Sequence, residues 1–149
     1  MKKLYSYLMV MATLLIGGGK AMAQSVTVDG VVYTLNGDQA YVSGNSGVGE
    51  TVNVLATVTI DSVDYSVTAI GDNAFKGCTE ILSITLPEGI VSIGNYAFYE
   101  NHKRQTINFP STLKSIGNYA FGYNYNLTEV VLPEVLRPSQ SMRFRYARH

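Results

Sequence analysis

One cysteine and two histidines are all the thiol and imidazole that this chain of 149 residues contains. Cys78, being alone, permits no internal disulfide. His102 and His149 stand far apart, and with one cysteine they do not make a metal site. A nucleophilic triad needs a base held within hydrogen-bond reach of its nucleophile, and no serine or cysteine motif accompanies His102. Asp61, Asp64 and Asp72 do not follow the spacing of a calcium loop. Gly44 to Thr51 has the glycine spacing of a phosphate loop, but Glu50 fills its lysine position. A carboxylate there repels phosphate, and no helical pattern follows. These absences leave no catalytic constellation, no metal and no cofactor: the reading is of a protein that is not an enzyme.

Positive charge is also scarce where a nucleic-acid footprint would need it. Residues 24–136 hold 4 basic against 11 acidic residues, a net of −7, which excludes nucleic acid as a partner on electrostatic grounds. The basic residues outside that body lie at the ends. Lys2 and Lys3 precede the apolar run Leu4 to Ile16, and Ala21-Met22-Ala23 fits a small-x-small cleavage rule. Residues 1–23 therefore read as a secretory signal, with Gln24 starting the mature chain. The apolar run is too short for a membrane span, so no stable span is expected after signal removal. Gln24 rather than cysteine follows the cut, which leaves no lipid-attachment residue there. The expected location is outside the cytoplasm: secreted, on the cell surface or periplasmic.

What the chain does have is a 23-residue repeat. Ile70-Gly71, Ile93-Gly94 and Ile116-Gly117 keep that interval, as do Ala74-Phe75, Ala97-Phe98 and Ala120-Phe121. Leu86-Pro87, Phe109-Pro110 and Leu132-Pro133 keep it too. A fixed period of this length means a solenoid, whose units bury their apolar faces only by stacking. Within each unit the x-Φ-x-Φ-Pro run alternates as a short strand should, and proline ends it for want of an N–H. Ile-Gly and Ala-Phe supply a second inward contact, a tight bend and an aromatic wedge between coils. Cys78, Asn101 and Asn124 share one corner, a place for a side chain that bonds the turn backbone from inside. Arg104 departs from the pattern, standing where Ile81 and Leu127 are apolar.

The fold expected is a β-rich solenoid: three stacked units of short parallel strands over residues 69–133, with a β-hairpin cap ahead of them. That cap, residues 24–68, contains turn pairs at Asp29-Gly30 and Asn36-Gly37, a glycine-rich loop at 44–50, and strands at 52–60 and 63–70 joined by Asp61-Ser62. The repeat Leu-x-x-Ile-x-Leu-Pro, Ile-Gly-x-x-Ala-Phe-x-x-Cys/Asn resembles the leucine-rich repeats of BspA-like bacterial surface proteins. Val28-Asp29-Gly30-Val31-Val32-Tyr33 resembles the segment that precedes those repeats in the family. The resemblance implies secretion or surface display in Bacteroides-type bacteria, and adhesion to host proteins or neighbouring cells.

Function is thus expected in a repetitive binding surface. The outward strand positions, Ser83 and Thr85, Thr106 and Asn108, Glu129 and Val131, form the candidate recognition face. Tyr96, Tyr99, Tyr119, Tyr123 and Tyr125 offer contact area with a polar tip, although the repeat equivalence of Tyr96 and Tyr119 suits coil-to-coil packing as well. Partners are expected among proteins, host extracellular matrix or bacterial surface proteins, or among glycans. The alternatives are a truncated or vestigial structural fragment, or a glycan-binding accessory protein. Residues 134–149 form a divergent basic tail in which Ile-Gly and Ala-Phe do not recur at 139–140 and 143–144. Codons exist for this tail that, read one nucleotide out of phase, give Glu-Gly-x-x-x-Ile-x-x-Tyr-Ala-Phe-x-x-Cys. The expectation is a frameshift that replaces the array downstream and exposes the apolar face of the last coil at Val130 and Leu132.

Overall fold

The computed structural model describes residues 24–103, 106–127 and 129–136. Over these residues the chain forms short strands and one 3-10 turn, without an α-helix. β1 (Ser25–Val28), β2 (Val31–Asn36) and β3 (Gln39–Asn45) make an antiparallel meander. Asp29 and Gly30 turn the first hairpin at φ of 49° and 79°, the left-handed pair that a two-residue connection between twisted strands requires. β3 continues through Gly44 and Asn45, so the expected loop begins only after them.

β4 (Thr51–Asn53), β5 (Thr57–Ile60) and β6 (Val63–Ile70) follow. The single strand expected over 52–60 is two: β4 joins the solenoid, while β5 pairs with β6 across Asp61 and Ser62, both at positive φ. The break at Val54 to Ala56 has partners of its own. Val54 N–H donates to Thr85 C=O at 3.1 Å, and Leu55 N–H donates to the hydroxyl of fully buried Tyr33 at 3.0 Å. Burial raises the Tyr33 phenol above its ordinary value.

The solenoid proper is completed by β7 (Ser83–Thr85), β8 (Ser92–Ile93), β9 (Thr106–Asn108), β10 (Ser115–Ile116) and β11 (Glu129–Val131). Two strand rows run along it. In the first, β3, β6, β8 and β10 are successive parallel neighbours. In the second, β4 pairs with β7 and β9 with β11, again parallel. Ile70-Gly71 and its copies therefore end strands of a full row, more than the inward contact and bend that their sequence indicates. The cap is continuous with the array, because β6 runs across 68/69 and supplies a strand of the first row. Its hairpin lengthens the first coil: 32 positions separate Val52 from its partner Ile84, against 23 from Ile84 to Ile107.

The third side of each coil is a run of turns, and it carries its own backbone ladder. Asn73, Phe75 and Gly77 donate to the carbonyls of Asn95, Ala97 and Tyr99 at 2.8–2.9 Å, and Tyr96, Phe98 and Glu100 donate to Asn118, Ala120 and Gly122 at 2.8–3.0 Å. Inside, repeat positions become columns of fully buried side chains. Ile70, Ile93 and Ile116 form one, and Phe75, Phe98 and Phe121 another. The three phenylalanines stack with centroids 5.3 and 5.2 Å apart and planes within 14°.

The glycine of Ile-Gly is explained by these columns. A Cβ on Gly94 would lie 2.4 Å from Asp72 Oδ1 and 2.6 Å from Asp72 N, and one on Gly117 would lie 2.4 Å from Asn95 N. Neither glycine has positive φ; the backbones of successive coils simply pass too close for a side chain.

The repeat phase continues beyond Pro133. The turn Pro87 to Ile90 recurs at Pro110 to Leu113 and at Pro133 to Leu136, closed each time by a hydrogen bond from the last residue to the proline carbonyl, 2.9 Å in the third copy. Leu136 is buried in the column of Ile90 and Leu113, and Leu132 is half-buried against the core. The expectation of an exposed Leu132 is corrected to that extent, because the residues after Pro133 still fold as the start of a coil. The signal segment, Arg104 and the tail from 137 lie outside the described residues.

Candidate functional site

At the Cys/Asn corner the chain has reserved side chains for internal work. Asn101 and Asn124 are 0% exposed. Asn101 Nδ2 donates to Phe75 C=O at 2.8 Å and Tyr99 C=O at 3.2 Å; Asn124 Nδ2 donates to Phe98 C=O at 2.8 Å and Gly122 C=O at 3.0 Å. Each ties a buried turn carbonyl to the coil before it, as the sequence indicates. Cys78 fills the equivalent corner of the first coil, where Asn45 of β3 reaches Ala74 C=O at 2.8 Å. Burial pushes the Cys78 thiol up, against a weaker opposing hydrogen bond with Asn45. A thiol held neutral in this way is a poor nucleophile.

Asp72, Asn95 and Asn118 line the next corner as a second ladder. Asp72 Oδ1 accepts from Asn95 N–H at 2.7 Å, and Asn95 Oδ1 accepts from Asn118 N–H at 2.7 Å. An open groove of about 590 Å³ lies beside it over β3, β6 and β8, lined by Gln39, Tyr41, Thr68, Asp72 and Ser92 among others. Within it Thr68 Oγ1 donates to Gln39 Oε1 at 3.0 Å. Among the described residues no three His, Cys, Asp or Glu side chains gather for a metal. The loop after Gly44 serves the fold: Glu50 C=O accepts from Leu82 and Ser83 N–H at 2.8 and 3.1 Å.

The six strand positions named from the sequence fall on the second row. Ser83, Thr85 and Asn108 are exposed there, on β7 and β9. Register aligns Thr106 with Glu129 and Asn108 with Val131 on the parallel pair β9 and β11. Ser83 and Thr85 flank buried Ile84, and Asn108 follows buried Ile107.

A different surface stands out on the turn side. Tyr96, Tyr119, Tyr123 and Tyr125 are 36%, 44%, 41% and 48% exposed. Tyr96 and Tyr119 stack at 5.5 Å with planes 10° apart, and Tyr99 meets Tyr96 and Tyr123 edge-on at 5.3 and 5.1 Å. Tyr125 stacks on His102 at 5.2 Å. The Lys76 ammonium lies 5.8 Å from the Tyr96 centroid and 5.3 Å from that of Tyr99, within cation–π range. The rings of Tyr96 and Tyr119 pack coil to coil and remain exposed.

The backbone beneath this strip is unusual. Tyr96, Tyr119, Tyr123 and Glu100 have φ of 54°, 51°, 55° and 60°, where bulky side chains are disfavoured by on the order of 1 kcal/mol each. In the first coil the equivalent positions hold Asn73 and Gly77, at φ of 59° and 70°, the residue types that accept this conformation most readily. The tyrosines have no signal of left-handed conformation in their own sequence. Alignment with Asn73 and Gly77 supplies the one available hint.

Comparison with known proteins places the chain. A family described as the BspA type leucine rich repeat region (6 copies) matches residues 54–148. A leucine-rich repeat protein from Bacteroides ovatus is 31% identical, with a TM-score of 0.70 over 74% of this chain and 30% of that one. A leucine rich cell surface protein from Faecalibacterium prausnitzii is 26% identical, with a TM-score of 0.66 over 75% of this chain and 31% of that one. A leucine-rich repeat protein from Bacteroides capillosus shares the fold at 24% identity, with a TM-score of 0.73 over 83% of this chain and 94% of that one. The chain thus spans less than a third of the length of the first two. No curated protein matches it. Two parallel strand rows, asparagine corners and a phenylalanine spine on a 23-residue period, together with the match over 54–148, make this chain a member of the BspA-type leucine-rich repeat family.

Proposed function

We propose that this protein is exported and binds macromolecules at or beyond the cell surface, mediating protein–protein interaction or adhesion to host or neighbouring cells without transforming what it binds. The observation that carries the proposal is a rigid array whose inward positions are spent on packing and whose outward positions repeat from coil to coil. A repetitive surface of this kind suits extended contact with a partner. Two further observations support it. Residues 1–23 have the pattern of a secretory signal, and one structural neighbour is described as a cell surface protein. The second row, Ser83, Thr85, Thr106, Asn108, Glu129 and Val131, belongs to the proposed binding surface.

The test is direct binding of the mature chain to immobilised extracellular matrix proteins, run beside a glycan panel. Saturable binding to one of the proteins is expected. Binding confined to glycans would replace the adhesion reading with that of a glycan-binding accessory protein. A second reading rests on residues 134–149, for which a set of codons exists whose shifted frame gives a repeat unit. In that reading this sequence is a fragment of a longer array, with no binding activity of its own. Resequencing the gene beyond codon 134 tests it, and an unshifted frame encoding the tail as written would remove it.

A further inference from the structure

We infer that the tyrosine strip, exposed Tyr96, Tyr119, Tyr123 and Tyr125 with half-buried Tyr99 among them, is the dominant docking surface, and that it receives a basic polypeptide segment through lysine or arginine side chains. The inference rests on the proposed role as a binding protein and specifies its face and partner.

The first ground is the strain described above. Asparagine and glycine serve positions 73 and 77 of the first coil, so the fold itself has no need of tyrosine at 96, 119 and 123. Unfavourable backbone held at exposed aromatic residues points to a task outside folding. The second ground is residue type. Tyrosine is enriched among the side chains that dominate binding energy, whereas serine and threonine are under-represented. The second strand row is built of the weaker kind.

The third ground is charge, and it selects the partner. Lys76 already lays its ammonium over Tyr96 and Tyr99, an internal sample of the contact proposed. The mature chain from 24 carries 8 basic against 11 acidic residues, a net of −3, with −7 on the body from 24 to 136 and four arginines in the tail; the acidic body draws a basic partner in and repels an acidic one. Glu100 stands within the strip close enough to Tyr99 to raise the phenol further, after desolvation and Tyr123. Lys103 is already paired with Glu80.

The experiment measures fluorescence anisotropy of two labelled dodecapeptides, one alternating arginine and glycine, the other glutamate and glycine, with the mature chain at physiological salt. Labelled heparin serves as a third probe. The arginine peptide should bind and the other two should not. The variant Tyr96→Asn/Tyr119→Asn should weaken arginine-peptide binding about tenfold, with the melting temperature unchanged or raised. Asparagine is the residue already at position 73, and the substitution leaves the net charge alone. Equal binding by variant and parent would reduce the effect to general charge attraction and overturn the proposal. A preference for glutamate peptide or heparin would overturn it too. So would binding seen only after Arg137, Arg143, Arg145 and Arg148 are changed to alanine, since the tail would then be the occupant. The same variants tested on matrix proteins separate the two claims. If a matrix protein binds the parent and the double variant equally, the face is wrong and the recognition role stands. If no matrix protein binds the parent, the recognition role fails whatever the peptides do.

Discussion

Single residues in this fold are fixed by the approach of one coil to the next. Gly94 and Gly117 sit where a neighbouring backbone leaves no room for a Cβ. Gly94→Ala should therefore lower stability by about 1–3 kcal/mol, the usual cost of overpacking, as read by urea denaturation. A cost below a few tenths would mean that the coils separate easily. The requirement for glycine is plain in the sequence, but its cause is not, since a turn glycine and a close-approach glycine look alike there. The asparagine corner is more legible: recurrence at 101 and 124 beside an apolar core implies a buried amide with backbone partners. Cys78 shares that corner, and its raised thiol leaves less thiolate than a free cysteine at any pH up to the folded value. Iodoacetamide should alkylate the native protein more slowly than glutathione from pH 7 to 9, and match it only once urea unfolds the chain.

At the scale of elements, stacked side-chain columns do for this protein what a closed core does for a globular domain. Phe98 touches a ring on either side, whereas Phe75 meets one stacked neighbour in Phe98. Phe98→Ala should cost about 3–5 kcal/mol and exceed the loss for Phe75→Ala in the same denaturation assay. Equal losses would show that stacking along the axis adds little to burial. The period alone places these columns, because each Ala-Phe pair recurs at its interval. The first strand row escapes notice because β8 and β10 are two residues long, too short for alternation to register. The break between β4 and β5 escapes as well, although the sequence does indicate the β5–β6 hairpin at Asp61-Ser62. That hairpin is inserted once, without a copy elsewhere, so no repeat betrays that β4 already belongs to the array.

For the whole molecule, the repeat implies architecture and the signal-like pattern of residues 1–23 supports the proposed destination, while the proposed binding face follows from neither. The outward strand positions are where period-2 reasoning looks first. The tyrosines are visible in the sequence as contact area, but their exposure and left-handed backbone, which set them apart from plain coil packing, are not displayed there. Both surfaces are accessible together, and variants on each assign their shares. The most direct measurement is binding of the mature chain to immobilised matrix proteins, with Tyr96→Asn/Tyr119→Asn and Ser83→Ala/Asn108→Ala run in parallel. This account predicts saturable binding that the tyrosine variant loses about tenfold and the strand variant largely keeps. No saturable binding by the parent chain would contradict it.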